Sequence, residues 1–424
     1  MTEPGAPRAC RACDHRDSVT EFLSLGSMPP GNGFLPPAEI SSERSFPLSM
    51  GVCAQCHTVQ VMDPVPEEDL KQVYRNYSYV PTGATLSAHY RDLAGDIVAV
   101  TKLEPGALVV DVGSNDGLLL HSILGHRPGL RVAGVEPATR IAQLARDRGI
   151  PTVNRFLDDE AVTEIRTRFG PARIVSATQV FQHLRRPADF LRAVSTLLDR
   201  GGVLVIEGRA YFPQVSATNS FDIFYHELLF CYTLTSLAEI LRRSGFSIFR
   251  ASKQSVYGGS LRIYASRTDE APPTDGSVRA ILEEEANSGI SDRKTYEAFG
   301  SRVATARDEL GRMVRDLRSK GMSLSGYGAP STGSTLLNYC GFGPETIGYI
   351  VDDNPLKQGL VTPGTHIPIL ASSAFRDRPS DYVLVLAWRL RDEILTNLSA
   401  LSLNGLRGAI VPLPRSEIFP LKSS

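Results

Sequence analysis

The run Leu-Val-Val-Asp-Val-Gly-Ser-Asn-Asp-Gly at residues 108–117 leaves few folds open to this chain. Its apolar start reads as a buried strand, its end as a turn of small residues, and a helical stretch follows. A buried strand that hands over to a helix is the first half of a parallel crossover unit. Gly113 lets the backbone come close to a ligand at the carboxyl end of the strand, where open α/β sheets bind their ligands. Asp111 closes this strand and Glu136 closes the next, Arg-Val-Ala-Gly-Val-Glu, where a carboxylate can accept hydrogen bonds from a ribose diol. The arrangement suits a nucleoside, with Asp111, Gly113, Asn115, Asp116, Glu136 and, after a third strand, Gln179 as the cofactor-binding candidates.

Two nucleoside cofactors compete for such a site. A dinucleotide calls for Gly-x-Gly-x-x-Gly, with close backbone approach to a pyrophosphate. The run here instead resembles the S-adenosylmethionine (SAM) methyltransferase motif, in which no phosphate has to be cradled. The plainer alternative is that Asp111 and Glu136 are only strand-end turn residues.

Around this unit the texture is that of an α/β chain. Apolar strands at RIVSATQVF and GGVLVIEG alternate with amphipathic segments, which predicts a parallel sheet wound with crossover helices. A long helix is predicted from about Thr295 to Lys320, on the spacing of Val303, Leu310, Met313, Val314 and Leu317, with Gly321 as its stop. A second set of strands then runs through MSLSGYG, TIGYIVDD, DYVLVLAW and RGAIVPL. At 424 residues the chain exceeds what one hydrophobic core holds. The expected division is a metal-dependent module at 1–90, a Rossmann-like methyltransferase domain at 91–270, linking helices at 271–320 and a C-terminal Rossmann-like α/β domain at 321–424.

The first ninety residues are rich in Pro and Gly and would struggle to build a core alone. They hold four of the six cysteines, as Cys10-x-x-Cys13 and Cys53-x-x-Cys56. Two such pairs place four thiolates around one tetrahedral Zn2+, a closed structural site without an open coordination position. A redox Cys-x-x-Cys would stand alone at a βαβ unit, and neither pair does. Cys231 and Cys340, each in an apolar segment, read as core filling.

Charge narrows the partners. Lys plus Arg (45) nearly balances Asp plus Glu (46), so no global basic field draws nucleic acid. Neither a membrane-length apolar run nor a basic-then-apolar leader is legible, so the expected compartment is the cytoplasm and the expected partner a small molecule.

The substrate side is expected at Phe-Asp-Ile-Phe-Tyr-His-Glu-Leu, residues 221–228, which follows the fifth strand of the first domain. Tyr225, His226 and Glu227 supply ionisable groups there, and His183 of Val-Phe-Gln-His-Leu faces the same edge. Singly each is more often a surface or core residue; their clustering makes them candidates.

Nearly end to end, the chain resembles the ketosugar C-methyltransferases of antibiotic deoxysugar biosynthesis. The paired cysteines and the Tyr77-x-Tyr79 stretch look like that family's zinc-binding region. VGSNDG, VFQHL, FDIFYHE and YGGSLRIY look like its central region, and GYGAPSTGSTLLNYCGFG, VDDNPLKQG, PGTHIPI and LAWRLRDEI like its C-terminal domain. The resemblance implies a reaction in which a dTDP-linked 4-keto-6-deoxysugar loses a proton beside its carbonyl and the enolate takes the methyl of SAM. It implies catalytic roles for Tyr79, His183, Tyr225 and Glu227, substrate contacts at His226, Tyr257, Tyr327 and Lys357, a nucleotide against the C-terminal domain, and a monomer.

Three departures from that family stand out. It usually reads Tyr-x-Glu-His, with the last histidine as base, where this chain has Leu228. If the segment is helical, 225 and 228 share a side and 226 does not, so His183 or Tyr225 is expected to take over deprotonation. A lysine common near Thr332 is missing, with Lys357 or nearby arginines as substitutes. Gly208-Arg209 stands where Asp-Pro or Asn-Pro is usual, reshaping the substrate loop. Another enolisable acceptor, a bifunctional ketoreductase and a non-catalytic SAM-binding relative remain as alternatives.

Overall fold

The computed structural model describes residues 8–75, 84–403 and 405–421. Three sheets organise them. The first pairs Val19–Met28, Phe46–Cys53 and Val59–Val61 antiparallel, and takes its fourth strand, Phe230–Cys231, from far along the chain. That borrowed strand pairs Val59 with Cys231 and Gln60 with Phe230.

The second sheet runs, in spatial order, Phe246–Gln254, Ser260–Arg267, Leu198–Arg209, Ala172–Thr178, Leu108–Val112, Arg131–Val135 and Thr152–Val153. Its parallel strands are apolar and buried on both faces, because crossover helices such as Leu118–His126 and Pro187–Leu197 cover them. Only Ser260–Arg267 and its neighbours pair antiparallel. The third sheet holds Ile369–Leu370, Ile350–Val351, Leu324–Tyr327, Tyr382–Val385 and Gly408–Val411 in parallel, with Glu417–Pro420 antiparallel at its edge.

The long helix spans Arg293–Ser319 and opens on Asp292, whose side chain accepts the Lys294 amide. Tyr296, Phe299, Val303, Leu310, Val314 and Leu317 form its buried stripe, at the spacing helical geometry dictates. Its aromatic end packs on Phe22 of the first sheet and on Phe212, with ring centroids 5.4 Å (Phe22–Tyr296) and 4.7 Å (Phe212–Tyr296) apart. At about 1.5–3 kcal/mol for each fully buried side chain of this size, the stripe is a major part of what holds the sheets together.

The loop 29–32 (Pro-Pro-Gly-Asn) ties the three sheets to one another. The Gly31 and Asn32 amides donate to the Glu227 carboxylate at 3.1 and 2.8 Å, while the Ser334 hydroxyl donates to the Gly31 carbonyl at 3.0 Å. A Cβ at Gly31 would lie 3.0 Å from the Tyr225 Cβ and 3.1 Å from the Ser331 carbonyl, so the approach is one that only glycine makes easily. Among the described residues no helix is long and apolar enough to cross a membrane.

Candidate active site

Four buried thiols gather at one end of the first sheet. The Sγ atoms of Cys10, Cys13, Cys53 and Cys56 all lie within 4.8 Å of one another, with Cys10–Cys56 and Cys13–Cys53 at 3.7 Å. Thiolates about 2.3 Å from a tetrahedral centre stand about 3.8 Å apart, so the cluster fits Zn2+. The Gln55 amide points at the Cys53 sulfur from 3.4 Å, and the hydroxyls of Ser18 and Thr58 lie 3.3 and 3.2 Å from the sulfurs of Cys53 and Cys56. Donors of this kind stabilise metal-bound thiolates. The pairs are brought together because Val19–Met28 and Phe46–Cys53 form an antiparallel hairpin that returns the chain to its start, with Val19 opposite Cys53.

The second and third sheets open onto one cleft of about 3670 Å3. Pockets for single small molecules run to roughly 300–1,000 Å3, so this one has room for two ligands side by side. Gly113, Asn115, Glu136, Gln179, His183, Tyr225, Glu227, Tyr257, Tyr327 and Lys357 all line it. At Gly113, φ is +67° and a Cβ would stand 2.4 Å from Val180, which accounts for glycine there. The Glu136 carboxylate accepts the Asn115 amide at 3.1 Å and the Ala138 amide at 2.8 Å, which fixes both oxygens at the cleft wall. Burial pushes its pKa up, opposed by those two amides. Gln179, at φ +60°, accepts the Arg209 amide at 2.9 Å and keeps its side-chain NH2 buried without a protein partner among the described residues.

Asp111, Asp116 and His226 do not line the cleft. The Asp111 carboxyl is buried behind the turn, takes the Ser176 hydroxyl at 2.6 Å and is pushed up to about 7 by burial. Asp116 pairs with Arg148 at 2.8 Å and accepts the Leu118 amide at 3.3 Å. His226 is fully buried with Nε2 3.1 and 3.3 Å from the Phe46 and Pro47 carbonyls, so it faces the first sheet. Tyr79, with Tyr77, lies outside the described residues.

Residues 225–228 form a turn, with the Leu228 amide donating to the Tyr225 carbonyl at 2.9 Å, and are not helical. Position 228 therefore does not share the face of Tyr225. Leu228 is fully buried in the hydrophobic cluster under the first sheet and off the cleft. Glu227 reaches the cleft, but its oxygens are committed to the Gly31 and Asn32 amides.

His183 donates from Nδ1 to the Glu227 carbonyl at 2.5 Å, which leaves the Nε2 lone pair for the cleft. Burial first, and then the Arg209 charge, hold its pKa down at about 4, so the ring is neutral at pH 7 and resists taking a proton. Arg209, expected only as part of a reshaped substrate loop at Gly208-Arg209, lines the same cleft. It hydrogen-bonds the Tyr225 hydroxyl from Nη2 and lies 5.6 and 5.8 Å from the ring centroids of Tyr225 and Tyr257. Burial pushes the Tyr225 phenol up and the Arg209 charge opposes it.

On the far wall, Lys357 donates to the Ala329 carbonyl at 2.7 Å and stands 4.7 Å over the Phe34 ring. Tyr327 donates to Asp353 at 3.2 Å and stacks on Phe375. Burial together with Asp353 pushes its phenol to about 12. Arg389 and Trp388, missed from sequence, are aimed by the buried Asp222: the guanidinium binds both carboxylate oxygens at 2.9 and 3.0 Å and the indole donates at 2.8 Å. The signal for them was an acidic residue in an apolar run, Phe221-Asp222-Ile223, which demands a partner.

Comparison with known proteins matches this organisation piece by piece. Residues 10–70 match a family described as a zinc binding domain, 87–250 one described as a methyltransferase domain, and 255–414 one described as the C-methyltransferase C-terminal domain. The chain is 34% identical over 417 residues to C-methyltransferase NovU of Streptomyces niveus, covering 98% of this chain and 97% of that one. Among solved structures, magnesium protoporphyrin IX methyltransferase from Synechocystis is 17% identical, over 47% of this chain and 92% of its own, with a TM-score of 0.33. An O-methyltransferase family protein from Burkholderia thailandensis is also 17% identical, over 48% and 60%, with a TM-score of 0.35.

Proposed function

The chain belongs to the SAM-dependent C-methyltransferase family that carries an N-terminal zinc-binding domain, and from that premise we propose that it methylates the carbon beside the ketone of a nucleotide-linked 4-keto-6-deoxysugar. The observation that carries this reading is the shared cleft, in which Gly113, Asn115, Glu136 and Gln179 at the strand ends of the second sheet face a cationic and aromatic wall on the third. Gly113, Asn115, Glu136 and Gln179 would hold SAM, with Glu136 on the ribose diol. When bound, SAM supplies an electrophilic methyl group for a carbon nucleophile. Lys357 and Arg389 would meet the diphosphate, in place of the lysine missing near Thr332. Trp388 and Tyr327 offer flat faces to the base.

Making the nucleophile requires that a proton leave the carbon beside the carbonyl while negative charge grows on oxygen. Tyr225, polarised by the Arg209 guanidinium on its hydroxyl, donates its own proton as a hydrogen bond to that oxyanion. His183 Nε2 accepts from a sugar hydroxyl and orients the ring. In this reading the enzyme is a cytoplasmic monomer of antibiotic deoxysugar biosynthesis, with dTDP as the nucleotide.

Incubating the protein with SAM and dTDP-4-keto-6-deoxyglucose in heavy water should release S-adenosylhomocysteine and label the carbon next to the ketone, both read by mass spectrometry. Bound sugar with neither signal would end the ketosugar reading. Separately, Glu136→Ala is expected to weaken S-adenosylhomocysteine binding by about 10- to 100-fold in titration calorimetry, the size of a lost charge-assisted hydrogen-bond pair. Unchanged affinity would put the nucleoside elsewhere.

A further inference from the structure

Neither His183, which resists a proton, nor Leu228, which cannot take one, meets the need for a base. A second histidine on the cleft does. His89, on the helix Ala84–Thr101, lines the cleft and gives Nε2–H to the Glu207 carboxylate at 2.6 Å. Its Nδ1 takes no hydrogen bond among the described residues, and its side chain is 12% exposed. Glu207 is fully buried at the end of Leu198–Arg209; its other oxygen takes the Arg262 Nε at 2.7 Å. Arg262 in turn binds Asp96 at 2.9 Å, and the Tyr264 hydroxyl donates to the same Asp96 oxygen at 2.6 Å. Asp92, mostly exposed, lies 3.7 Å from Arg262.

We propose that His89, aimed by Glu207, is the catalytic base that removes the proton beside the substrate ketone. Three observations converge on it, and all of them rest on the reading of the cleft given above. The hydrogen bonding is right: Glu207 takes Nε2–H, so the lone pair of the ring stays on Nδ1, while Arg262 and Asp96 hold Glu207 in place in turn. The place is right: Glu207 pairs with Thr178 at the carboxyl ends of adjacent strands, next to Gln179. The spacing is right as well. Glu207 and Arg209 are two apart on one strand, so their side chains share a face about 7 Å apart along it. One holds His89 and the other Tyr225, which sets a base and an oxyanion donor at neighbouring points for a C–H and its adjacent carbonyl.

In the step, the C–H bond breaks, its proton goes to His89 Nδ1 and its electron pair moves to the carbonyl oxygen, where Tyr225 donates. In heavy water the exchanged imidazolium returns a deuteron to carbon, so labelling reports this step without methyl transfer. Glu207 acts as a positioning residue.

The test uses the zinc-loaded full chain with S-adenosylhomocysteine and dTDP-4-keto-6-deoxyglucose in heavy water. His89→Asn and His89→Gln should lower deuterium uptake at least about 100-fold, the usual share of a general base, while S-adenosylhomocysteine affinity stays within about twofold. Glu207→Gln should lower the exchange kcat with little change in KM, which a merely structural role would not separate. Exchange in either His89 variant within about tenfold of the unaltered protein overturns the assignment. So does a loss of S-adenosylhomocysteine affinity that matches the loss of exchange, which would make His89 a cofactor contact. No exchange by the unaltered protein overturns the ketosugar reading and this one with it; exchange that survives His89→Asn overturns this one alone.

Discussion

Removing the zinc with a chelator, or replacing Cys53 with serine, is expected to abolish methyl transfer and to convert a single melting transition into a broadened one at lower temperature. The four cysteines hold together a sheet too small to stand on its own core. Structural zinc sites carry an apparent binding free energy on the order of 10–16 kcal/mol in small peptides, as large as a typical domain's whole stability. The loss reaches the cleft because Glu227 is held by the amides of Gly31 and Asn32, and the His183 ring by the carbonyl of that same Glu227. Once the first sheet loosens, both contacts go. Scanning calorimetry beside metal analysis would check it; a metal-free protein with unchanged melting and turnover would show that the thiol cluster is dispensable.

Tyr225→Phe is expected to lower kcat for methyl transfer by about 100- to 1,000-fold, the cost of losing one donor to a developing oxyanion. The ring is nearly fully buried and packs beneath Gly31, so phenylalanine keeps the shape and removes only the hydroxyl. S-adenosylhomocysteine affinity should hold, since among the described residues the Tyr225 hydroxyl is hydrogen-bonded by Arg209 and not by Gly113, Asn115, Glu136 or Gln179, the residues proposed to hold the nucleoside. A steady-state comparison of kcat and KM decides it: a rise in KM alone would make Tyr225 a binding group and move oxyanion stabilisation to Arg209.

Much of this was legible in the residues. The strand-and-turn at 108–117 specified a parallel sheet because a buried apolar strand that ends in small residues has few other uses, and the cysteine pairs specified a metal because nothing else explains them in a chain of this type. What escaped was set by tertiary contact. His89 sits on a helix with no local mark of function, and its partner Glu207 only meets it once the chain has crossed from 89 to 207. Arg209 looked like an irregular loop residue until the strand was seen to continue through it. The conditional helix at 225–228 was the wrong local geometry: Leu228 amide to Tyr225 carbonyl is a single turn, and the apolar cluster below it takes the leucine inward. Asp116 and His226 were chosen for their chemistry and spent on structure, one on Arg148 and one on two backbone carbonyls.

The strand Phe230–Cys231 completes the first sheet although it follows the substrate-side turn in sequence. The boundary between the two units therefore does not coincide with any single cut in the chain. A chimera that exchanges only the first ninety residues with a relative would pair a foreign Val59–Val61 edge with the resident strand, and would mismatch the amides that grip Glu227. Recombination among such enzymes should succeed when residues 225–232 travel with the N-terminal segment, so that what looks like a detachable module is inherited as two separated pieces of sequence.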